Sequence, residues 1–305
     1  MRSFRRITVA LSMTATDVDV LRYAAIVARL GITTRLQFVH VKTSPSPTTE
    51  DDRNRLVVRL RETVHAHFGQ PLEGTAVSFQ VVGGSRVESL IDTAVEHKSE
   101  LILLGHRRTR AGRRTLARKL AMTGRCSVWM VPEGAALQLS RVLAPVDFSD
   151  HSADGLSQAA AIARLQGLDE CLALHVGCAP LRHSSSAVDR ASGDEQSPWQ
   201  MFLETVNAYG VPIETLNESA KNTVGAILEY AHRRSVDLLV ISTRGTTRMP
   251  DIQLGSTTSQ LLMESDLPVL IIQQGNGSSL LQAVQSTFAS LYHTLRMPLL
   301  NLLYS

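Results

Sequence analysis

Short runs of Val, Ile and Leu alternate along the chain with longer stretches in which apolar residues return every three or four positions. The runs have the length of buried strands, and the longer stretches carry the period of amphipathic helices. A strand that is apolar on both faces must be covered on both, so the alternation predicts a parallel sheet with helices on either side. In the second half the strands fall near residues 141–146, 171–176, 211–217, 237–241 and 268–272. Helices fill the intervals, the first over 150–164 with Ser149 or Asp150 as its N-cap. Residues 182–198, RHSSSAVDRASGDEQSP, hold few apolar positions and read as a loop.

The pattern occurs twice. RITVALSMTATD from Arg6 aligns with RVLAPVDFSDHS from Arg141, and LQFVHV ending at Val41 aligns with CLALHV ending at Val176, both pairs 135 positions apart. SELILLG (99–105) then meets VDLLVIS (236–242) at an offset of 137, and RTLARKLAMTGRCSVWMV (114–131) meets GSTTSQLLMESDLPVLII (255–272). The duplication predicts two α/β domains over 1–137 and 138–275, joined through PEGAALQLS, each a five-stranded parallel sheet flanked by helices. It also decides how the start should be read. MRSFRRITVALSMTA imitates an export signal, with three arginines before a short apolar stretch. The same apolar segment recurs mid-chain at Val142–Val146, so it reads as a core strand.

With 305 residues, 44% hydrophobic and 19% charged, the chain can bury two substantial cores. No run approaches the ~18 consecutive apolar residues of a membrane span. A net charge of +3 is too small to argue for nucleic acid. Three cysteines, Cys126, Cys171 and Cys178, suit a reducing cytoplasm better than a disulfide framework. In CLALHVGC, Cys171 and His175 share one face of a strand while Cys178 points the other way, which favours buried thiols over a zinc site. His40 and His175 hold equivalent strand positions and read as buried, hydrogen-bonded histidines.

Chemistry concentrates where the strand VDLLVI opens into STRGTTRMPDIQLGST (242–257). Ser242, two residues, Gly245, nine residues and then Gly255-Ser256 form a spaced set between a strand and a helix. Glycines at a strand's carboxyl end let backbone N–H groups approach an anion, and Gly255-Ser256 puts the next helix's positive end on the same spot. No Walker A pattern occurs, and VVGGSRVES (81–89) lacks the dinucleotide spacing. Ser149, Asp150 and His151 are consecutive, so their side chains diverge and cannot form a relay.

The repeat and this spacing resemble the universal stress protein family in its tandem form, from about Arg5 to Gln274. The family's ATP-binding members carry Gly, two residues, Gly, nine residues, Gly-Ser; here Ser242 stands for the first glycine, a position that suits serine where φ is negative. The resemblance implies an adenine-nucleotide-binding, Rossmann-like fold that takes ATP with Mg²⁺ as its expected companion. It assigns the phosphates to Ser242, Thr243, Arg244, Gly245, Gly255, Ser256, Thr257 and Thr258. Asp147 and Val176 match the family's adenosine contacts, with Pro145 shaping that wall. Read without the family, Asp147 is equally a helix cap and the Gly-Ser loop a capped turn.

The first half departs from the motif. Ser12 stands for Asp147, Arg108 for Gly245 and Arg114-Thr115 for Gly255-Ser256. Arginines in place of glycines remove the close backbone approach, so no ATP is expected there and guanidinium groups are expected to fill the hollow. The basic run GHRRTRAGRRTLARK (105–119) reads as a solvated helix start or as a site for an anion, a lipid phosphate or an acidic partner.

The strands SVWMV and PVLII are short, apolar and poor as exposed edges, so they should be paired. In the family that strand joins two domains, which implies an intramolecular pseudo-dimer. In the tail, 276–305, Leu281, Val284, Phe288, Leu291 and Leu295 recur at helical spacing and predict a helix that packs on the body or in a homodimer. The expectation is a cytoplasmic regulator or sensor in the stress response that binds ATP in its second half. Enzymatic turnover is at most slow hydrolysis or autophosphorylation, with no catalytic residue to nominate. The rival is a nucleotide-independent scaffold that holds a lipid or anion with the basic run and the tail.

Overall fold

The computed structural model describes residues 4–30, 33–43, 49–69, 73–106, 115–123, 126–177, 197–243 and 254–273. Expectations for the basic residues 107–114, Cys178, the loop over 182–196, Arg244, Gly245 and the tail lie outside these residues.

The first half runs β1 (Arg6–Leu11), α1 (Asp17–Ala28), β2 (Arg35–Lys42), α2 (Glu50–Phe68), β3 (Ala76–Gly83), α3 (Arg86–Glu96), β4 (Leu101–His106), α4 (Thr115–Thr123) and β5 (Ser127–Pro132). The second runs β6 (Val142–Val146), α5 (Asp150–Gln166), β7 (Cys171–Gly177), α6 (Pro198–Glu204), β8 (Ile213–Ser219), α7 (Thr223–Arg233), β9 (Leu238–Ser242), α8 (Ser256–Glu264) and β10 (Val269–Ile272). The strands lie in the order β3-β2-β1-β4-β5-β10-β9-β6-β7-β8. Every pair is parallel except β5 with β10, where Trp129 faces Leu270 and Met130 faces Val269. The two strands that read as poor edges therefore pair with each other, and the halves share one sheet.

Alternation along the strands sorts the core into two layers. Leu101, Leu103, Trp129, Val131, Leu270 and Ile272 face one layer; Ile102, Leu104, Val128, Met130, Val269 and Ile271 face the other. Both layers run without a break across the β5–β10 junction. Trp129 is fully buried there and meets Tyr23 and Phe4 edge-on, with ring centroids at 5.6 Å and 6.2 Å.

Local signals explain the ends of the elements. Ser149 is the N-cap of α5 and accepts from Ser152 N at 3.2 Å; Gly167 ends that helix at φ +66, a conformation glycine adopts without strain. The third strand of the second half begins at Ile213, two residues later than the apolar pattern suggests. Pro198 is the first residue of α6, where its missing N–H is harmless, and Ser197 and Gln200 close a capping box around it. Backbone strain repeats too: Met13 (φ 60) and Phe148 (φ 61) occupy the same corner after β1 and β6, and Lys98 (φ 50) matches Ser235 (φ 51). A non-glycine residue held there costs about 1–3 kcal/mol. Its recurrence shows that the corner, rather than the residue, dictates the backbone.

Candidate functional site

In the second half the chain leaves the neighbouring strands β6 and β9 towards helices on opposite faces. That divergence opens a crevice at the carboxyl ends of the strands. A cavity of about 260 Å³ lies there. Pro145, Asp147 and Val176 form one end, and Ser242, Gly255, Ser256, Thr257 and Thr258 the other. The structure thus brings together eight of the eleven predicted residues. Of the rest, Arg244 and Gly245 lie outside the described residues, and Thr243 is buried beside the cavity without lining it.

At the strand end, Asp147 Oδ1 accepts from Ser149 Oγ at 2.5 Å and Ser149 N at 3.2 Å. Asp147 is therefore not the cap of α5; it braces Ser149, which is. The N–H of Asp147 reaches Ser152 Oγ at 3.4 Å, and that hydroxyl donates to Ser149 O at 2.9 Å. His175 Nδ1 lies 3.0 Å from Val146 O, and His40 Nδ1 lies 3.0 Å from Leu11 O. A carbonyl only accepts, so each Nδ1 carries its proton; the hydrogen bonds are as expected, but both rings are half-buried rather than buried. Among the described residues no group of His, Cys, Asp and Glu is arranged to hold a metal ion.

At the other end Gly255 is the N-cap of α8, with φ −61 and ψ 152 and no side chain to close the helix. The first N–H groups of α8 thus reach the cavity without an intrahelical partner or a side-chain cap, which is what a polyanion requires. Thr243 clamps the segment: its N–H donates to Ile272 O at 3.0 Å, and its carbonyl accepts from Gly255 N at 2.7 Å. Thr258 Oγ1 donates to Ser242 O at 2.8 Å. Its hydroxyl proton is therefore committed to the fold. The donors these residues offer the cavity are backbone N–H groups, which suit an anion.

Sequence reasoning missed Ser152 and Thr223, both at helix starts lining the cavity. Asn222, which caps α7 by accepting from Gly225 N at 3.0 Å, was the available signal for Thr223.

The first half holds a cavity of about 360 Å³ in the equivalent place. The expectation of a hollow filled by guanidinium groups falls on residues outside those described, 107–114, and the walls that are described enclose open space.

Residues 3–132 and 139–273 each match the universal stress protein family. The chain belongs to that family. Universal stress protein YxiE of Bacillus subtilis is 27% identical over 148 residues, covering 44% of this chain and 99% of the relative. A universal stress protein structure from Archaeoglobus fulgidus superposes with a TM-score of 0.66 at 16% identity, covering 90% of this chain and 98% of that one. A putative universal stress protein from Pseudomonas aeruginosa gives 0.59 at 18% identity over 88% and 93%. These likenesses establish a tandem universal stress protein with the α/β fold. No helix among the described residues is long and apolar enough to cross a membrane.

Proposed function

We propose that the second half binds ATP, accompanied by Mg²⁺, and that the protein acts in the cytoplasm as a nucleotide-dependent regulator of the stress response. The observation that carries this reading is the convergence of Asp147, Val176 and the uncapped start of α8 on one cavity. Separately, each is an ordinary turn or cap; together they offer a carboxylate for ribose or adenine, a backbone edge for the base and free N–H groups for phosphate. The 260 Å³ of the cavity lies just under the usual range of ~300–1,000 Å³ for small-molecule sites, and residues 244–253 border it in sequence. No residue is assigned a catalytic role. Binding would act by favouring one conformation or assembly over another.

Denaturing the freshly purified protein and separating the released small molecules by chromatography tests the proposal. An adenine nucleotide, or micromolar ATP affinity of stripped protein by calorimetry, is expected. A blank in both experiments refutes it.

A further inference from the structure

The cavity of the first half keeps the place of its counterpart and changes part of its lining. Leu11, Val39, Val41, Leu90, Leu104 and Leu116 give it an apolar portion, beside a polar portion that includes Asp17, two histidines and Arg86. Leu116 stands where the second half has Thr257, and Ala117 where it has Thr258. The polar groups at the strand end are satisfied among themselves. Asp17, 2% exposed, accepts from Ser12 N and Ser12 Oγ, both at 2.9 Å, and from Thr14 N at 3.2 Å. A chain of hydroxyls continues from Ser12 to Thr14 at 2.6 Å and on to Thr16 at 2.8 Å. Three donors meet the Asp17 carboxylate, and the acceptor that Asp147 supplies opposite is replaced by Ser12.

One substitution runs the other way. Thr223 in the second cavity becomes Arg86 in the first, the opening residue of α3. It is exposed at the rim and forms no ion pair among the described residues. A cation at a helix start opposes the helix dipole, and Glu88 in the same turn offsets this only in part. An anion at the mouth would relieve the conflict. His40 and His106 also line the cavity, as does the Asp17 carboxylate, whose charge is met by the three donors named above.

We propose that this cavity binds a small amphipathic anion, with an acyl or aryl body against the apolar walls and one terminal carboxylate or phosphate against Arg86. The proposal is independent of ATP in the second half.

Calorimetric titration of the full chain with octanoate and with octyl phosphate, each under saturating ATP, tests it. One equivalent of at least one of them is expected to bind; octanoate the tighter assigns a carboxylate ligand, octyl phosphate the tighter a phosphate. Arg86→Gln should weaken the anion at least about fivefold, the loss of one charge-assisted contact, and weaken neutral 1-octanol less than about twofold. Leu116→Glu, with an unchanged melting temperature, should abolish binding by placing a carboxylate among the walls. Absence of binding at millimolar concentration overturns the proposal. So does equal weakening of octanol and anion by Arg86→Gln, or displacement of the anion by ATP.

Discussion

Gly155 on α5 lies directly against Ser242 at the end of β9: a Cβ at position 155 would stand 3.4 Å from Ser242 N and 3.9 Å from Ser242 Cβ. The first half reverses the pair. Gly105 on β4 occupies the place of Ser242, Val20 on α1 that of Gly155, and a Cβ on Gly105 would fall 2.5 Å from Val20 Cγ2. Each half needs one small residue where the helix crosses the strand end. Ser242 fits at the strand end because the helix position facing it, 155, is glycine.

The exchange predicts a coupled pair. Gly155→Ala should be neutral or stabilising by up to about 1 kcal/mol, since the methyl fits and glycine is a poor helix former. Gly155→Val should destabilise by about 1–3 kcal/mol through overpacking, and adding Ser242→Gly should recover at least half of that. Urea unfolding of the four proteins measures the coupling; additive effects would mean that the two positions do not share the space.

Gly255→Arg copies the first half at the head of α8. It should lower ATP affinity at least about tenfold by blocking the backbone N–H groups, with little change in melting temperature because Gly255 makes no side-chain cap. Calorimetry with ATP, paired with a thermal melt, is the check.

Asp147→Ser makes the corresponding change at the other end. Losing a charged acceptor should weaken ATP by about 1.5–3 kcal/mol. Stability should fall by no more than about 1 kcal/mol, because Ser149 still caps α5. Unchanged affinity would remove Asp147 from the site.

Burial, with a smaller push from Glu170, raises the Cys171 thiol to about 12. Essentially none is thiolate at pH 8, so in a Cys126→Ser/Cys178→Ser background the folded protein should not react with a thiol-specific chromophore. Modification should appear only at the rate of unfolding. Rapid labelling of folded protein would contradict this burial.

Arg234 grips Glu214 with two contacts, 2.9 Å and 2.6 Å, and donates to Tyr230 Oη at 2.7 Å. Its guanidinium holds the Glu214 carboxyl below its ordinary value. A depressed folded-state value stabilises above the unfolded one and loses that contribution as pH falls through the folded value. The pair is partly exposed, so the effect is at most about 1 kcal/mol. Glu214→Gln should therefore be less stable than the parent at pH 7, and denaturation midpoints should converge as pH falls below the carboxylate range.

The sheet and most of the cavity were legible because both depend on local patterns: apolar runs fix strands, and a repeated offset fixes their equivalence. What remained hidden depends on distant contacts. Gly155 and Ser242 are separate signals in the sequence and become one only where α5 crosses β9. The hydroxyl of Thr258 reads as a ligand donor until Ser242 O is found beneath it. For the first-half cavity the sequence drew attention to two arginines in place of the motif's glycines, which lie outside the described residues, whereas its described walls come from β1, β2, β4, α1, α3 and α4. Pro198 was read as the end of a loop, although Ser197 before it and Gln200 after it spelled a helix start.

Because β5 and β10 run head to tail, the parallel strands of one half point opposite to those of the other. The two cavities consequently open on opposite rims of the sheet, with β5 and β10 standing between them. A surface that covers one mouth therefore leaves the other open.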